Sequence, residues 1–367
     1  MEPNRREHLT CLDGLKGIGA FIVAFIWHYQ HFGPQEGSPF DTLFKISYMY
    51  GWSMVDLFFM LSGVGMMIGY GKRVHDKEIS FKDFILRRLS KLYPLFIVST
   101  IIVFVLEFIY RHKVGATFVY PNYDIYHVIQ NMLFLQNGIL GTEFSFNAPS
   151  WCIPIFLLCY CMFYFVISRT KEHQSIVYKF LFTAIIGAAL IASGLGYPIL
   201  NSAVGRGVAG FSIGVLIAFV YEKRESFKSL RLGICCLIFL VASYLVLRFK
   251  SFDFIGNQTL AMTLGFGPMI IMSTLFIPWQ NAIIRNPVLR FLGVISWDIY
   301  LLHFPVQCFI KTLDVYMNLN INYSSRVTWI IYVAATIGIS SLYHYLLSKK
   351  TEAFILNFFK IRKATVM

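Results

Sequence analysis

Ten stretches of the chain stay apolar for about the twenty residues that a helix needs to cross a bilayer. They are 14–32, 51–70, 93–110, 151–168, 177–196, 204–221, 231–248, 259–278, 291–310 and 327–347. Several contain Gly, Pro or a polar residue, which spanning helices tolerate where neighbours cover the freed backbone groups. The segment Ile125 to Leu140 is apolar but shorter, and it holds His127, Gln130, Asn131, Gln136 and Asn137. That pattern predicts an interfacial or re-entrant helix. The whole predicts an all-α polytopic membrane protein of about ten spanning helices. No repeat of fixed period is visible, so the inverted-repeat argument for a transporter finds no support.

Composition agrees. The 367 residues are 57% hydrophobic and 14% charged, against about 25% charged in a soluble domain. Disorder, a collagen-like repeat and a disulfide scaffold are excluded. The seven cysteines include no C-x-x-C pair, so neither a metal nor a redox centre is expected. The apolar run after the charged amino end is long and has no small-residue cleavage site, which argues against a cleavable signal peptide. Residues 1–350 read as one transmembrane domain and 351–367 as a short basic tail, with no sizeable soluble domain.

The net charge of +13 changes meaning once it is placed. With the amino terminus inside, 24 of the 32 Lys and Arg residues fall on the cytoplasmic side. This positive-inside bias predicts both termini cytoplasmic, and it removes nucleic acid as the partner implied by the charge. The bilayer itself is the first partner.

Ionisable groups inside spans are costly and therefore candidates for function. His28 lies about 18 Å beyond Lys16 at a 1.5 Å rise per residue. The second span returns from outside through Asp56, at a similar depth. A carboxylate beside an imidazole fixes its tautomer and raises its basicity, so His28 and Asp56 are expected to pair. On the residues alone, such a pair serves a general base or the proton relay of a transporter or flippase. Asp298 and His303 lie inside the ninth span. Glu107 and His344 read as structural. In the loop from Gly71 to Leu92, Arg88 and Lys91 share a helix face. With Arg87 they suit either a phosphorylated ligand or anionic lipid. Asn147 to Trp151 opens a span at the outer face, and Trp151 suits an interfacial anchor or a sugar platform.

Four of these patches together resemble the acyltransferase family 3 of integral membrane O-acyltransferases. They are Leu12-Asp13-Gly14-Leu15-Lys16-Gly17 followed by His28, Val55-Asp56-Leu57-Phe58-Phe59-Met60-Leu61-Ser62-Gly63, Arg87-Arg88 through Lys91 to Tyr93-Pro94, and Leu292-Gly293 to Tyr300-Leu301-Leu302-His303. The resemblance implies transfer of an acyl group, usually acetyl, from cytoplasmic acyl-CoA to a hydroxyl of a surface glycan or its lipid-linked precursor, in a cell membrane of bacterial type. It implies His28 as catalytic residue with Asp56 beside it. It implies Asp13, Lys16, Arg87, Arg88 and Lys91 on the acetyl-CoA side, with no metal. Trp151, Asn147, Asp298 and His303 are then expected at the acceptor.

Two departures stand out. The family usually places ten residues between its Arg or Lys and the histidine, whereas Gly17 to Trp27 makes eleven. One extra residue turns His28 by about 100° on an ideal helix, unless a π-bulge or a local kink absorbs it. Many members also carry Trp-Ser-x-x-x-Glu where this chain has Trp151-Cys152-Ile153-Pro154-Ile155-Phe156, so no acid is carried over there.

Overall fold

The computed structural model describes residues 3–141, 143–249, 257–359 and 361. Lys250, Lys360, Arg362 and Lys363, counted in the charge balance above, lie outside the described residues, as do the side chains of Arg5, Arg6 and Arg248. The helices run α1 (Pro3–Phe21), α2 (Asp41–Tyr50), α3 (Met54–His75), α4 (Phe81–Val114), α5 (Ile125–Met132) and α6 (Cys152–Ser168). Next come α7 (His173–Ser193), α8 (Ser202–Glu222), α9 (Ser229–Phe249), the short α10 (Gln258–Leu260) and α11 (Gly267–Phe276). Last are α12 (Pro278–Ile284), α13 (Pro287–Val294), α14 (Ser296–Met317), α15 (Arg326–Tyr343) and α16 (Lys349–Phe358). Among the described residues nine helices are long and apolar enough to span, and a bent pair can make the tenth. The chain is a multi-pass, all-α membrane protein.

The predicted span 291–310 is that bent pair. α13 and α14 meet at 68°, so the span proper is α14. The segment 125–140 forms only the eight-residue α5, followed by turns at 133–134 and 136–139. At about 12 Å long it cannot cross a bilayer. The expected tail boundary at 350 falls inside α16. At the other extreme, α4 measures about 50 Å, well beyond the roughly 30 Å hydrocarbon core. Its first turns, from Lys82 to Lys91, therefore project on the basic side of the protein. Ser80 caps them by accepting from the Asp83 backbone N–H at 3.1 Å.

Glycines set the closest crossings. α3 packs along α8, where a Cβ on Gly63 would collide with the Phe211 carbonyl and one on Gly214 with that of Met60. Small residues at such crossings let backbones approach, which is a main source of helix association in lipid. The same logic joins the two ends of the chain. α1 packs on α13, and a Cβ on Gly293 would run into the Asp13 backbone, while one on Gly17 would meet Leu289 and Gly293. Part of the Asp-Gly-Leu-Lys-Gly pattern is thus a packing device that seats Lys16 against the α13–α14 bend. Gly293→Val is expected to part these helices. It should lower the yield of monodisperse protein in detergent several-fold, and a normal elution profile and melting temperature would count against this contact.

Candidate active site

His28 stands where α1 changes winding. Ile22–Trp27 is a π-helix, closed by the His28 N–H on the Val23 carbonyl, and His28–Phe32 is a 3-10 helix that ends at Gly33 with φ +64°. A π turn thus lies between Lys16 and His28, the stretch that holds the additional residue. Side chains of α14 and α15 bond backbone carbonyls at this change of winding. Trp329 Nε1 donates to the Phe25 carbonyl at 2.6 Å, Tyr332 OH to that of Ala24 at 3.0 Å, and Gln307 Nε2 to that of His28 at 2.8 Å. An irregular backbone inside the membrane is viable only when satisfied in this way. The unusual winding is therefore built in.

His28 Nδ1 lies 2.8 Å from His303 Nε2, with the two ring planes 7° apart. The far nitrogen, His303 Nδ1, faces the Ile299 carbonyl at 3.2 Å. A carbonyl only accepts, so His303 Nδ1 carries a proton. In neutral His303 the Nε2 is then an acceptor, and His28 Nδ1 must donate to it. This leaves the lone pair of His28 on Nε2, the arrangement of a general base. The His31 ring lies near-parallel to that of His28 with centroids 4.9 Å apart, and Tyr120 OH lies 3.5 Å from His31 Nε2.

Asp56 does not make the expected pair with His28. Arg206 takes both of its oxygens, through Nε at 2.7 Å and an Nη at 3.2 Å. The guanidinium also donates to the Trp52 carbonyl at 3.2 Å and lies 5.1 Å from the Trp52 ring and 5.0 Å from the Trp151 ring. A carboxylate with 2% of its side chain exposed needs a full countercharge, and a neutral imidazole cannot supply one. The proton relay through a His28–Asp56 contact loses its path for the same reason. Arg206 falls inside the apolar run 204–221. A lone cation in one span and a lone acid in another were the available signal.

The remaining acceptor-side expectations divide. His303 meets His28. Trp151 packs on Arg206 and on Phe59. Asn147 is fully buried and donates to Ser99 Oγ and to the Leu301 carbonyl, both at 2.9 Å. Pro305 within α14 has no N–H for the carbonyl four residues back, which is that of Leu301, so Asn147 satisfies what the proline leaves open. Its Oδ1 has no hydrogen-bond partner among the described residues. Asp298, expected at the acceptor, lies instead with the basic residues. His344 Nδ1 meets its carboxylate at 2.7 Å, and both line a cavity of about 560 Å³.

That cavity opens among Lys16, Arg88, Lys91 and Lys349, and it reaches Cys152, Tyr160 and Tyr300. The volume lies within the range of small-molecule sites. Arg88 is braced by Tyr70, whose hydroxyl accepts from it and whose ring it covers at 4.5 Å. Lys16 is held by Asp13 at 3.0 Å. Arg87, on a neighbouring face of α4, does not line the space. At the far end Tyr300 OH donates to the Pro149 carbonyl at 2.5 Å and accepts from Cys152 Sγ at 3.3 Å. Tyr300 stands between the cavity and His303, with ring centroids 6.1 Å apart. Along α14, Asp298 and His303 are about 7.5 Å apart. The cavity and the imidazole pair are therefore consecutive stations on one helix.

A family model for an acyltransferase domain, Acyl_transf_3, matches residues 9–345. The chain belongs to the acyltransferase 3 family. The motifs around His28, Asp56, Arg88 and His303 all fall within the match, and the expectation of a membrane acyltransferase stands at that level. Among curated relatives of this acyltransferase 3 chain, the peptidoglycan O-acetyltransferase OatA of Listeria monocytogenes is 21% identical over 329 residues, covering 82% of this chain and 50% of the relative. "Protein 2 in picA locus" of Rhizobium radiobacter is 30% identical over 99 residues, covering 27% and 46%. The chain spans about half the length of the curated relatives it matches. No solved structure matches it.

Proposed function

We propose that the protein transfers an acyl group, acetyl in the first instance, from acyl-CoA entering on the basic side to a hydroxyl of a surface glycan or its lipid-linked precursor. In this reading both termini are cytoplasmic, which puts the four cations of the cavity where acyl-CoA is found. The observation that carries the reading is the hydrogen bond between His28 Nδ1 and His303 Nε2. It directs the basic nitrogen of His28 away from its partner.

His28 Nε2 takes the proton of the acceptor hydroxyl as the oxygen attacks the thioester carbonyl. The carbon–sulfur bond breaks, the acyl group stays on the oxygen, and the proton passes to the coenzyme sulfur. His303 fixes the tautomer without bringing a charge of its own. General base catalysis of this kind contributes about 10²–10⁴-fold. Lys16, Arg88 and Lys91 hold the phosphates of the donor, with Arg88 suited to bidentate contact. The OatA likeness supports a glycan acceptor.

Mass spectrometry of surface glycans from cells with and without the gene tests this reading. The expected result is an acyl mass on one glycan that disappears with the gene. Unchanged glycans, together with uptake of a substrate by vesicles that contain no coenzyme A, would replace the reading with a transporter.

A further inference from the structure

The family match ends at residue 345, yet the cavity wall continues. Ser348, Lys349 and Glu352 line it together with His344. The reason is a second irregular winding, because His344–Ser348 is a π-helix leading into α16. In an α-helix residues five apart point about 140° away from each other. A π turn closes i to i+5 and brings them onto one face, so His344 and Lys349 look into the same space. Glu352 follows Lys349 by three positions, again on that face. α16 also packs against α4, the helix that carries Arg88 and Lys91.

Lys349 is exposed at the rim. Lys16 has Asp13 beside it and Arg88 has Tyr70, which locks both in place. Lys349 is held by no such brace among the described residues. An exposed, unbraced lysine on the last helix suits a late contact with the outermost phosphate of a long ligand.

We propose that α16 is a recognition element for the donor nucleotide, with Lys349 as the fourth cation that binds its phosphates. This rests on the acyl-CoA reading above. Coenzyme A carries a pyrophosphate and a 3′-phosphate on the nucleotide end and none on the pantetheine end. Four cations around one mouth match that distribution, whereas a donor without phosphates would gain nothing from them. The contact is electrostatic and partly solvated, so it weakens as salt rises.

The experiment compares acetyl-CoA with acetyl-pantetheine, which has no phosphate, as donors for the full-length protein in proteoliposomes. Lys349→Ala is expected to raise KM for acetyl-CoA about fivefold with kcat nearly unchanged. Lys349→Arg should restore most of it, and KM for acetyl-pantetheine should not move. Lys350→Ala, next to it but not on the cavity wall, controls for damage to α16. Equal losses on both donors, or none on either, would overturn the role of Lys349 and leave the acyl-CoA reading standing. A wild-type protein that turns over neither thioester would remove both.

Discussion

Arg206→Ala is expected to cost the protein about 3–5 kcal/mol, the range for breaking one half of a buried ion pair. Asp56 keeps 2% of its side chain exposed and Arg206 16%, so the orphaned carboxylate could find neither water nor another cation. The loss does not stop at one pair. Arg206 fills the space between Trp52 and Trp151, and Trp151 opens α6, whose first residue Cys152 meets Tyr300. A fall in melting temperature of many degrees, with α6 becoming accessible to protease, is the expected outcome in detergent. Arg206→Met combined with Asp56→Leu removes both charges and should recover much of the stability, because replacing a buried pair by apolar groups is often neutral or better. A double variant no better than the single one would show that the tryptophan stacking, not the charge pairing, carries the effect.

His303→Ala should lower acyl transfer about a hundredfold, a share of the roughly 10²–10⁴-fold that a general base contributes. The His28 Nδ1–H loses its acceptor, the ring turns, and the Nε2 lone pair is no longer aimed. His303→Gln offers an amide oxygen as a replacement acceptor and should recover about tenfold of that loss. A role for His303 in packing alone predicts instead that both variants lose stability in parallel with activity. KM for the donor should stay near the wild-type value in each, since His303 does not line the cavity.

Nine spans were legible because twenty apolar residues leave little choice in a bilayer, and the five polar residues of 125–140 pointed to a segment unlike the spans, of which only Ile125–Met132 is helical, as α5. One residue more than usual between Lys16 and the histidine left open a π-bulge or a local kink, and the structure has a π turn there. Partners were harder. Asp56 and His28 sit at matching depth, but depth says nothing about the angle around the bundle, and Arg206 comes from a helix 150 residues away. The neighbours of Asp298 were hidden for a related reason. The 68° bend between α13 and α14 shifts the start of the span, so Asp298 lines the cavity with Lys16, Arg88 and Lys91. No proline marks that bend. It follows from α13 being held against α1 through Gly17 and Gly293, a contact between the two ends of the chain that no local pattern shows.

Acetyl transfer from labelled acetyl-CoA to a glycan acceptor in proteoliposomes, measured for His28→Ala beside the wild type, bears most directly on the assignment of the base. The variant is expected to insert, to melt within a few degrees of the wild type and to bind acetyl-CoA, because His28 does not line the cavity. Its transfer rate should fall about 10²–10⁴-fold. A folded His28→Ala protein that still acetylates the acceptor within tenfold of the wild-type rate would contradict His28 as the base.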